Sequence, residues 1–325
     1  MPELRVHLQE VDEIRATTVM DNSIDLLMAN TEVAKRLPIA ADSLERPLPI
    51  AEHGFAALIT VREGDRWRRV LLDTGSSPTG VLHNLDAMSI DASEIEVIVL
   101  SHGHFDHTLG LPALLQRMGT GRVRVVLHPD AFLERRLVRP DAEPVRFPRL
   151  FRGSLEREGV EMTVTPDPTL LLDGTVLVSG EIERTTSFEV GFPPNQARRG
   201  ESWEPDPLIH DDQCVIANLR GKGLVVVSGC AHAGIVNSVR HAQALTGVEA
   251  VHAVMGGFHL TGKLFEGIIP PTIAALREIS PRYLVPTHCT GFAAIHEVAR
   301  AFPDAFVANA VGTTLVFQGL PAARL

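Results

Sequence analysis

The segment 101–107 reads Ser-His-Gly-His-Phe-Asp-His and comes directly after an apolar run, Ile95–Leu100. Its four potential metal ligands are His102, His104, Asp106 and His107. The apolar run predicts a buried strand, and the periodicity of 111–118 predicts a helix beyond the loop. A tight loop between them would point the first two histidines the same way and turn the last two ligands toward a neighbouring position. Because imidazole and carboxylate groups suit Zn²⁺, Mn²⁺ and iron, the segment predicts a metal site at a strand end.

Elsewhere in the chain, short apolar runs alternate with helical patterns. Further strands are predicted at Phe55–Val61, Val70–Leu72, Val123–Leu127, Cys214–Leu219, Leu224–Ser228, Ala250–Met255, Leu284–Val285 and Thr313–Phe317. Helices are predicted at Leu111–Met118, Gly234–Leu245, Pro271–Ile279 and Ala293–Ala301. This alternation is typical of an α/β (α+β) protein.

Polar segments follow five of the predicted strands. They are Asp73, 101–107, 229–234, 256–259 and Thr287-His288. Ligand sites in α/β proteins lie at strand ends, where loops converge on one edge of the fold. The sequence therefore predicts one cleft that gathers many of the histidines and carboxylates.

The chain has 325 residues, with 30 Lys and Arg against 40 Asp and Glu and a net charge of −10. This length fits one large α/β domain or two smaller ones, and we expect a single domain over 1–325. The stretches 30–50, 130–165 and 190–212 are irregular and rich in Pro, Arg and acidic residues, so we expect insertions that cover the site. The acidic balance argues against nonspecific nucleic-acid binding, which needs a basic surface. We therefore expect a small-molecule substrate and leave a homodimer open.

Signals for compartment and membrane attachment are few. The three cysteines, Cys214, Cys230 and Cys289, are too far apart in sequence to form a disulfide framework. Residues 1–7 have neither an apolar core nor a small-residue cleavage site, so no signal peptide is expected. No run of about 18 apolar residues exists, so no membrane span is expected. The sequence therefore predicts a cytoplasmic protein.

Short motifs along nearly the whole chain carry a family resemblance. They are Asp21-Asn22, Ala51-Glu52-His53-Gly54, Leu72-Asp73-Thr74-Gly75, the segment 101–107, Asp211-Asp212-Gln213, 228–234, 256–260 and Pro286-Thr287-His288-Cys289. With them the chain resembles the metallo-β-lactamase superfamily of binuclear metal hydrolases. It is most similar to the subgroup related to dihydropterin ribofuranosyl-aminobenzene phosphate synthase. The resemblance implies a four-layer αββα sandwich with two metal sites at one edge.

The same resemblance implies which residues would bind the metals. The implied ligands are His102 and His104 in the first site, and Asp106, His107 and His288 in the second. Asp73 would brace the histidine-rich loop from behind, as buried carboxylates often do at metal sites.

The sequence departs from the superfamily pattern at one point. Gly229-Cys230 stands where that family has a Gly-Asp pair whose carboxylate bridges both metals. We expect His232 to supply the third ligand of the first metal, with His210, just before a predicted hairpin, as the alternative. Cys230 could bridge as a thiolate or could be an inert buried thiol. If the bridge is absent, the second metal would be held less tightly.

Other polar residues near these motifs have less certain roles. His259 follows a strand and two glycines, so it could bind substrate, protonate a leaving group or simply cap the strand. His53 offers similar options on a weaker signal, and Glu52 could equally be a surface residue. The adjacent carboxylates Asp211 and Asp212 could brace the metal site, bind metal or form a solvated turn.

The first functional hypothesis is a binuclear hydrolase with two divalent cations, Zn²⁺ being favoured over Mn²⁺ or iron. A metal-bound hydroxide would attack a small ester, lactone or phosphoester. Asp106 would orient the hydroxide as well as bind metal, and His259 would help to stabilise the oxyanion. Two alternatives stay open. Transfer chemistry like that of the dihydropterin synthase rests on resemblance alone, and a metal-bound sensor without turnover rests on the missing bridging Asp.

Overall fold

The computed structural model describes residues 5–38, 45 and 47–321, which form two large β-sheets, a third small sheet and several helices. The strands are β1 (Glu10–Val11), β2 (Glu13–Met20), β3 (Ala34–Lys35), β4 (Ala56–Glu63), β5 (Arg66–Leu72), β6 (Val97–Val99), β7 (Val123–Leu127), β8 (Arg135–Leu137), β9 (Val145–Arg146), β10 (Val160–Val164), β11 (Thr169–Leu171), β12 (Val176–Val178), β13 (Asn195–Arg199), β14 (Ser202–Pro205), β15 (Cys214–Leu219), β16 (Gly223–Ser228), β17 (Val251–Gly257), β18 (Tyr283–Thr287) and β19 (Thr314–Gln318). The α-helices are α1 (Gly80–Ala87), α2 (Phe105–Thr108), α3 (Leu111–Met118), α4 (Ile235–Thr246), α5 (Ile269–Ile279) and α6 (Phe292–Ala301).

The first large sheet has eight strands in the order β10-β7-β6-β5-β4-β2-β19-β3. Its β4 and β5 form an antiparallel hairpin around Gly64, whose φ of +58° suits a tight turn. The strands β5, β6 and β7 are parallel, and Leu72 pairs with Val99. Because neighbouring parallel strands end at the same edge of a sheet, the chain leaves β5 and β6 side by side.

The second large sheet has the order β11-β12-β15-β16-β17-β18, with β1 pairing to β15. Its β15 and β16 form the predicted hairpin, and β16, β17 and β18 are parallel. In this register Ser228 pairs with Gly256, and Gly257 pairs with Thr287. The residues that follow these three strands therefore emerge together at one edge, as those after β5 and β6 do.

Apolar side chains fill the space between the two large sheets and cover their outer faces. Both sheets contribute to the central core, α1 and α3 pack on the outside of the first sheet, and α4, α5 and α6 pack on the second. Strands covered on both faces have continuous apolar runs, as β16 does. Each fully buried Val or Leu contributes about 1.5–3 kcal/mol. The predicted four-layer αββα sandwich is confirmed.

The three stretches expected to be irregular contain several strands, and at those strands the prediction is wrong. At 160–164, β10 forms an edge of the eight-stranded sheet, and β8, β9, β13 and β14 form the separate small sheet. These strands are short and several are rich in charged residues, so distant pairing partners rather than a local pattern stabilise them. The stretch 30–50 contains β3, and its residues 39–44 and 46 lie outside the described part of the chain.

Two further differences concern strands near the site. The sequence pattern does not predict β2, where buried Ile14 and Ala16 alternate with the less buried Arg15 and Thr17. This strand is stabilised by pairing with both β4 and β19. The strand predicted at Ile95–Leu100 is shorter, because a 3₁₀ turn capped by the Asp91 side chain comes just before it.

No helix within 5–38, 45 and 47–321 is long and apolar enough to cross a membrane. Residues 1–4, which belong to the segment expected to lack a signal peptide, lie outside the described residues.

Candidate metal centre

Asp73 joins the end of β5 to the histidine-rich loop 101–107. It is fully buried, and it accepts hydrogen bonds from the backbone N–H and the hydroxyl of Ser101, each at 2.7 Å. Its Oδ2 also lies 2.7 Å from Nδ1 of His107. A carboxylate on Nδ1 fixes the orientation of the ring and leaves Nε2 on the opposite side. These are the contacts that a bracing role for Asp73 would need.

Asp211 holds the same loop through a buried ion pair. It accepts the N–H of Gly103 at 2.7 Å and lies 2.5 Å from Nη2 of Arg135, which also contacts Asp206. Burial opposes ionisation, but Arg135 keeps the pKa of Asp211 below its ordinary value. Gly103 has no room for a side chain, since a Cβ there would lie 2.3 Å from the carbonyl oxygen of Ala131. Arg135 lies in no recognisable motif, so the sequence alone does not predict that it serves the site.

His102, His104 and His232 form the first cluster of potential ligand atoms. Nε2 of His102 lies 3.0 Å from Nδ1 of His104 and 3.2 Å from Nε2 of His232. Burial, with Arg135 next in importance, lowers the pKa of His104 to about 3. Burial also holds the pKa values of His102 and His232 well below the ordinary value. The three imidazoles are therefore neutral at pH 7, with lone pairs available to a cation.

The structure separates the two candidates for the third ligand of this cluster. His232 follows β16 and is buried beside the other two rings. His210 lies in a more exposed position, with its Nδ1 2.5 Å from Oε1 of Glu181. The fold thus brings His232, and not His210, to the histidine-rich loop.

Asp106, His107, Cys230 and His288 form the second cluster. Oδ2 of Asp106 lies 3.3 Å from Nε2 of His288 and 3.5 Å from Nε2 of His107. Sγ of Cys230 lies 3.2 Å from the same His107 nitrogen. Burial is the largest single influence and lowers the pKa of each histidine, but the neighbouring acidic groups together raise both pKa values. These groups are Asp106 and Asp73 at His107, and Asp106 and Cys289 at His288. A cation could take the place of the protons that these groups share.

The two clusters fit two adjacent cations. The rings of His102 and His107, one from each cluster, have centroids 4.2 Å apart. Ligand atoms about 2.0–2.1 Å from a tetrahedral Zn²⁺ stand roughly 3.4 Å from each other, close to the spacings within both clusters. Burial opposes ionisation of Asp106, but His107 and His288 hold its pKa well below the ordinary value. Neutral imidazoles with an ionised carboxylate make a donor set that Zn²⁺, Mn²⁺ or iron accepts.

Asp21 and Asn22, directly after β2, position His288. Asp21 accepts the backbone N–H of His288 at 3.0 Å and the hydroxyl of Thr287. Oδ1 of Asn22 lies 3.0 Å from Nδ1 of His288, which leaves Nε2 toward Asp106. The Asp-Asn pair is one of the family motifs, but the sequence alone predicts no role for it. The role could not be predicted because β2 was not predicted, and the end of β2 positions Asp21 and Asn22 at the site.

His53 and Glu52 lie at the rim of the centre. His53 is exposed, with Nε2 3.7 Å from Oδ2 of Asp106. Glu52 accepts the N–H groups of Ser76 and Ser77, so it holds the loop after β5 and contributes to neither cluster.

Asp212 is buried behind His232 and belongs to neither cluster. Its Oδ2 accepts the N–H of Ala233 at 2.8 Å, while its Oδ1 has no hydrogen-bond partner within the described ranges. Burial raises the pKa of Asp212 to about 7. Asp212 thus contacts the backbone next to His232.

His259, Cys230 and Cys289 form a third group of potential ligand atoms, all within 4.8 Å of one another. His259 is half-buried, and the centroid of its ring lies 4.2 Å from the centroid of the His232 ring. Neither ring nitrogen of His259 makes a hydrogen bond of standard geometry to the part of the chain described. Cys289 has no predicted role from the sequence, although it directly follows His288.

Phenylalanine rings line two sides of the centre. The ring centroids of Phe147 and His104 are 5.4 Å apart. The ring centroids of Phe192 and Phe265 lie 5.1 and 4.8 Å from that of His259. Phe147 and Phe192 come from two of the stretches expected to cover the site. These apolar walls limit the access of water to the ligand clusters.

A four-layer αββα sandwich whose strand ends gather two adjacent clusters of histidine and carboxylate defines the metallo-β-lactamase class of proteins. The sequence profile of the metallo-beta-lactamase superfamily matches residues 54–240. The chain belongs to this superfamily.

Individual relatives agree with this assignment. Over 271 residues, the chain is 30% identical to a 7,8-dihydropterin-6-methyl-4-(β-D-ribofuranosyl)-aminobenzene-5'-phosphate synthase of Methanocaldococcus jannaschii, covering 82% of this chain and 90% of the relative. An uncharacterised protein of the same organism is 29% identical over 255 residues, covering 77% of this chain and 88% of that protein. The crystal structure of a metal-dependent hydrolase of the β-lactamase superfamily matches with a TM-score of 0.71 at 23% identity, covering 94% of this chain and 99% of that one. This last similarity shows the shared fold.

Proposed function

We propose that this protein is a metal-dependent hydrolase that binds two divalent cations and cleaves a small ester, lactone or phosphoester. The adjacency of the two ligand clusters carries the proposal. The first cluster offers neutral imidazoles and the second offers an ionised carboxylate. The ring centroids of His102 in the first cluster and His107 in the second are only 4.2 Å apart. Membership of the superfamily supports the same reaction class.

The residues of the two clusters would hold the cations. The proposed ligands are His102, His104 and His232 for the first, and Asp106, His107 and His288, with the sulfur of Cys230 beside them, for the second. Zn²⁺ is the expected ion, with Mn²⁺ and iron as alternatives. Bound divalent cations would supply Lewis-acid charge that polarises the substrate and activates water.

Asp106 and His53 are proposed to orient the attacking water and to accept its proton. The Asp106 carboxylate can accept a hydrogen bond from water and so orient it. Nε2 of His53, 3.7 Å from Oδ2 of Asp106, can pass the proton to solvent because its ring is exposed at the rim.

His259 is proposed to donate a hydrogen bond from one ring nitrogen to the substrate oxygen on which negative charge develops. Such a preorganised donor stabilises a transition state most effectively where water is excluded. Phe192 and Phe265 pack against this ring and provide that exclusion. The stretches 130–165 and 190–212, which supply Phe147 and Phe192, would form the walls that select the substrate.

Metal analysis and a substrate panel test the proposal together. The wild-type protein is expected to hold about two divalent ions per chain in these two clusters and to hydrolyse at least one ester, lactone or phosphodiester. His104→Ala should lose both metal and turnover, while His296→Ala, at an exposed position, should keep both. A His104→Ala protein with full metal content and full activity would overturn the proposal.

A second candidate is transfer chemistry like that of the dihydropterin synthase. It is favoured by 30% identity over 90% of the length of that relative. Formation of the joined product from a pterin diphosphate and a ribofuranosylaminobenzene phosphate, with release of diphosphate and with no hydrolysis of the ester panel, would replace the first proposal with this one. Full metal loading with neither activity would leave the sensor hypothesis.

A further inference from the structure

Two sulfur atoms and an imidazole meet beside the second ligand cluster. Sγ of Cys230, Sγ of Cys289 and a ring nitrogen of His259 lie within 4.8 Å of one another. We propose that Cys230, His259 and Cys289 form a third cation site, selective for a thiophilic divalent ion such as Zn²⁺ or Cd²⁺. This inference concerns binding alone and does not depend on which substrate the protein uses.

The topology of the second sheet builds this site. Cys230, His259 and Cys289 each lie two residues beyond the end of β16, β17 and β18, which are adjacent parallel strands. The three side chains therefore emerge at one edge of the sheet, with His259 level with Cys289 and Cys230 offset by one residue. Gly257 leaves the space that the sulfur occupies, since a Cβ there would lie 2.5 Å from Sγ of Cys289.

The surroundings of the three side chains suit a bound ion. Cys230 and Cys289 are only 3% and 6% exposed, and both are free thiols. The ring nitrogens of His259 are buried and lack hydrogen bonds of standard geometry to the residues at 5–38, 45 and 47–321. A ring in this position loses its water contacts, and a cation on one nitrogen would compensate.

The donor types set the selectivity of the site. Thiolate and imidazole ligands favour Zn²⁺ and softer ions, whereas Mg²⁺ and Mn²⁺ prefer oxygen donors. Three protein ligands would leave a fourth tetrahedral position open. Coordination through one nitrogen of His259 would also fix its tautomer and keep the other nitrogen as an N–H donor, as its proposed role toward substrate requires.

Cys230 connects this site to the second cluster. Its Sγ lies 3.2 Å from Nε2 of His107, so a single thiolate could contact ions on both sides. Cys289 and His259, in contrast, belong to the third group and to neither of the other two. Substitution of Cys289 or His259 therefore disrupts the proposed site alone, whereas substitution of Cys230 would also disrupt the second cluster.

The third cysteine of the chain provides a matched control. Cys214 is as buried as the other two but belongs to none of the three ligand groups among the described residues. Burial raises the pKa of this thiol to about 12, as expected for an inert thiol.

Cadmium binding to the full-length protein tests the proposal. Equilibrium dialysis with Cd²⁺ should give about three ions per chain for wild type and for Cys214→Ala, but about two for Cys289→Ala and for His259→Ala. After loading with Co²⁺, the sulfur-to-metal charge-transfer absorption in the near ultraviolet should weaken in Cys289→Ala and stay unchanged in Cys214→Ala.

Several outcomes would overturn the third site. One is an equal Cd²⁺ count in wild type, Cys289→Ala and His259→Ala. Another is recovery of only one titratable thiol from denatured, unreduced protein, which would mean a Cys230–Cys289 disulfide. If Cys289→Ala does not fold, Cys289→Ser keeps the shape of the side chain, and its sulfur-to-cobalt charge-transfer absorption should weaken in the same way. His104→Ala separates the two proposals, since it should lose a first-cluster ion while keeping the sulfur absorption.

Discussion

Nδ1 of His107 lies 2.7 Å from Oδ2 of Asp73, and both side chains are fully buried. This contact occupies the nitrogen that faces away from the ligand clusters. The opposite nitrogen, Nε2, therefore points to Asp106 and to the sulfur of Cys230. One carboxylate at the end of β5 thus decides which atom of His107 can bind a cation.

Asp73→Asn should reduce the affinity for the second cation about 10- to 100-fold. The amide keeps the size of the side chain but removes the negative charge that holds the His107 ring. Competition with a chelator measures this affinity, and Asp65→Asn, in the exposed turn between β4 and β5, is the control. Unchanged affinity in Asp73→Asn would show that the contact does not control ligation.

Much of the fold could be predicted because its central strands are covered on both faces. The apolar runs of β7, β15 and β16 and the periodicity of α3 match the structure closely. In contrast, β2 has polar residues on one face, and β10 follows a stretch rich in Arg and Glu. Their place in the sheet depends on partners far away in sequence, which a local pattern does not record.

The candidate site divides in the same way. The residues that the structure brings together at 101–107, His232 and His288 follow strands, so their sequence positions predicted a common edge. Arg135 and Asn22 also serve this site, but through contacts with residues distant in the chain. Such contacts arise from packing between separate elements. Arg135 lies in no motif, and the Asp21-Asn22 motif does not indicate by itself that Asn22 contacts His288.

Gly103→Ala should displace the histidine-rich loop and lower the metal content of the purified protein. The added Cβ would lie 2.3 Å from the carbonyl oxygen of Ala131, and a backbone atom cannot move aside cheaply. Gly153→Ala is the matched control, because no atom of the described residues beyond its chain neighbours lies within 4 Å of a Cβ there. Elemental analysis and thermal unfolding of both variants test this, and equal values for the two would contradict it.

Arg135→Met should lower the free energy of unfolding by about 3–5 kcal/mol, because it leaves the carboxylates of Asp206 and Asp211 buried and unpaired. The comparison is Arg117→Met, which removes an exposed partner of Asp86 and should change stability little. Urea denaturation gives both values. A small effect at Arg135 would mean that the two carboxylates become protonated or hydrated without cost.

His252, on β17, lies between two aromatic rings, with centroids 5.3 Å from Tyr283 and 5.1 Å from Phe317. Burial, followed by the charges of Lys222 and Arg282, lowers its pKa from 6.5 to about 4. As pH falls through this interval, the unfolded chain takes up a proton before the folded protein does. The contribution of His252 is therefore complete above its ordinary pKa and is lost on acidification toward its folded pKa.

His252→Leu should make the protein less sensitive to acid, because the leucine has no proton to bind in the unfolded state. Wild type should lose on the order of 1 kcal/mol more stability than the variant between about pH 7 and pH 5, after allowance for solvent screening. The measurement is the free energy of unfolding in urea at the two pH values. His296→Leu, at an exposed position, should keep the pH dependence of wild type. Equal losses in wild type and His252→Leu would assign the acid sensitivity to other groups.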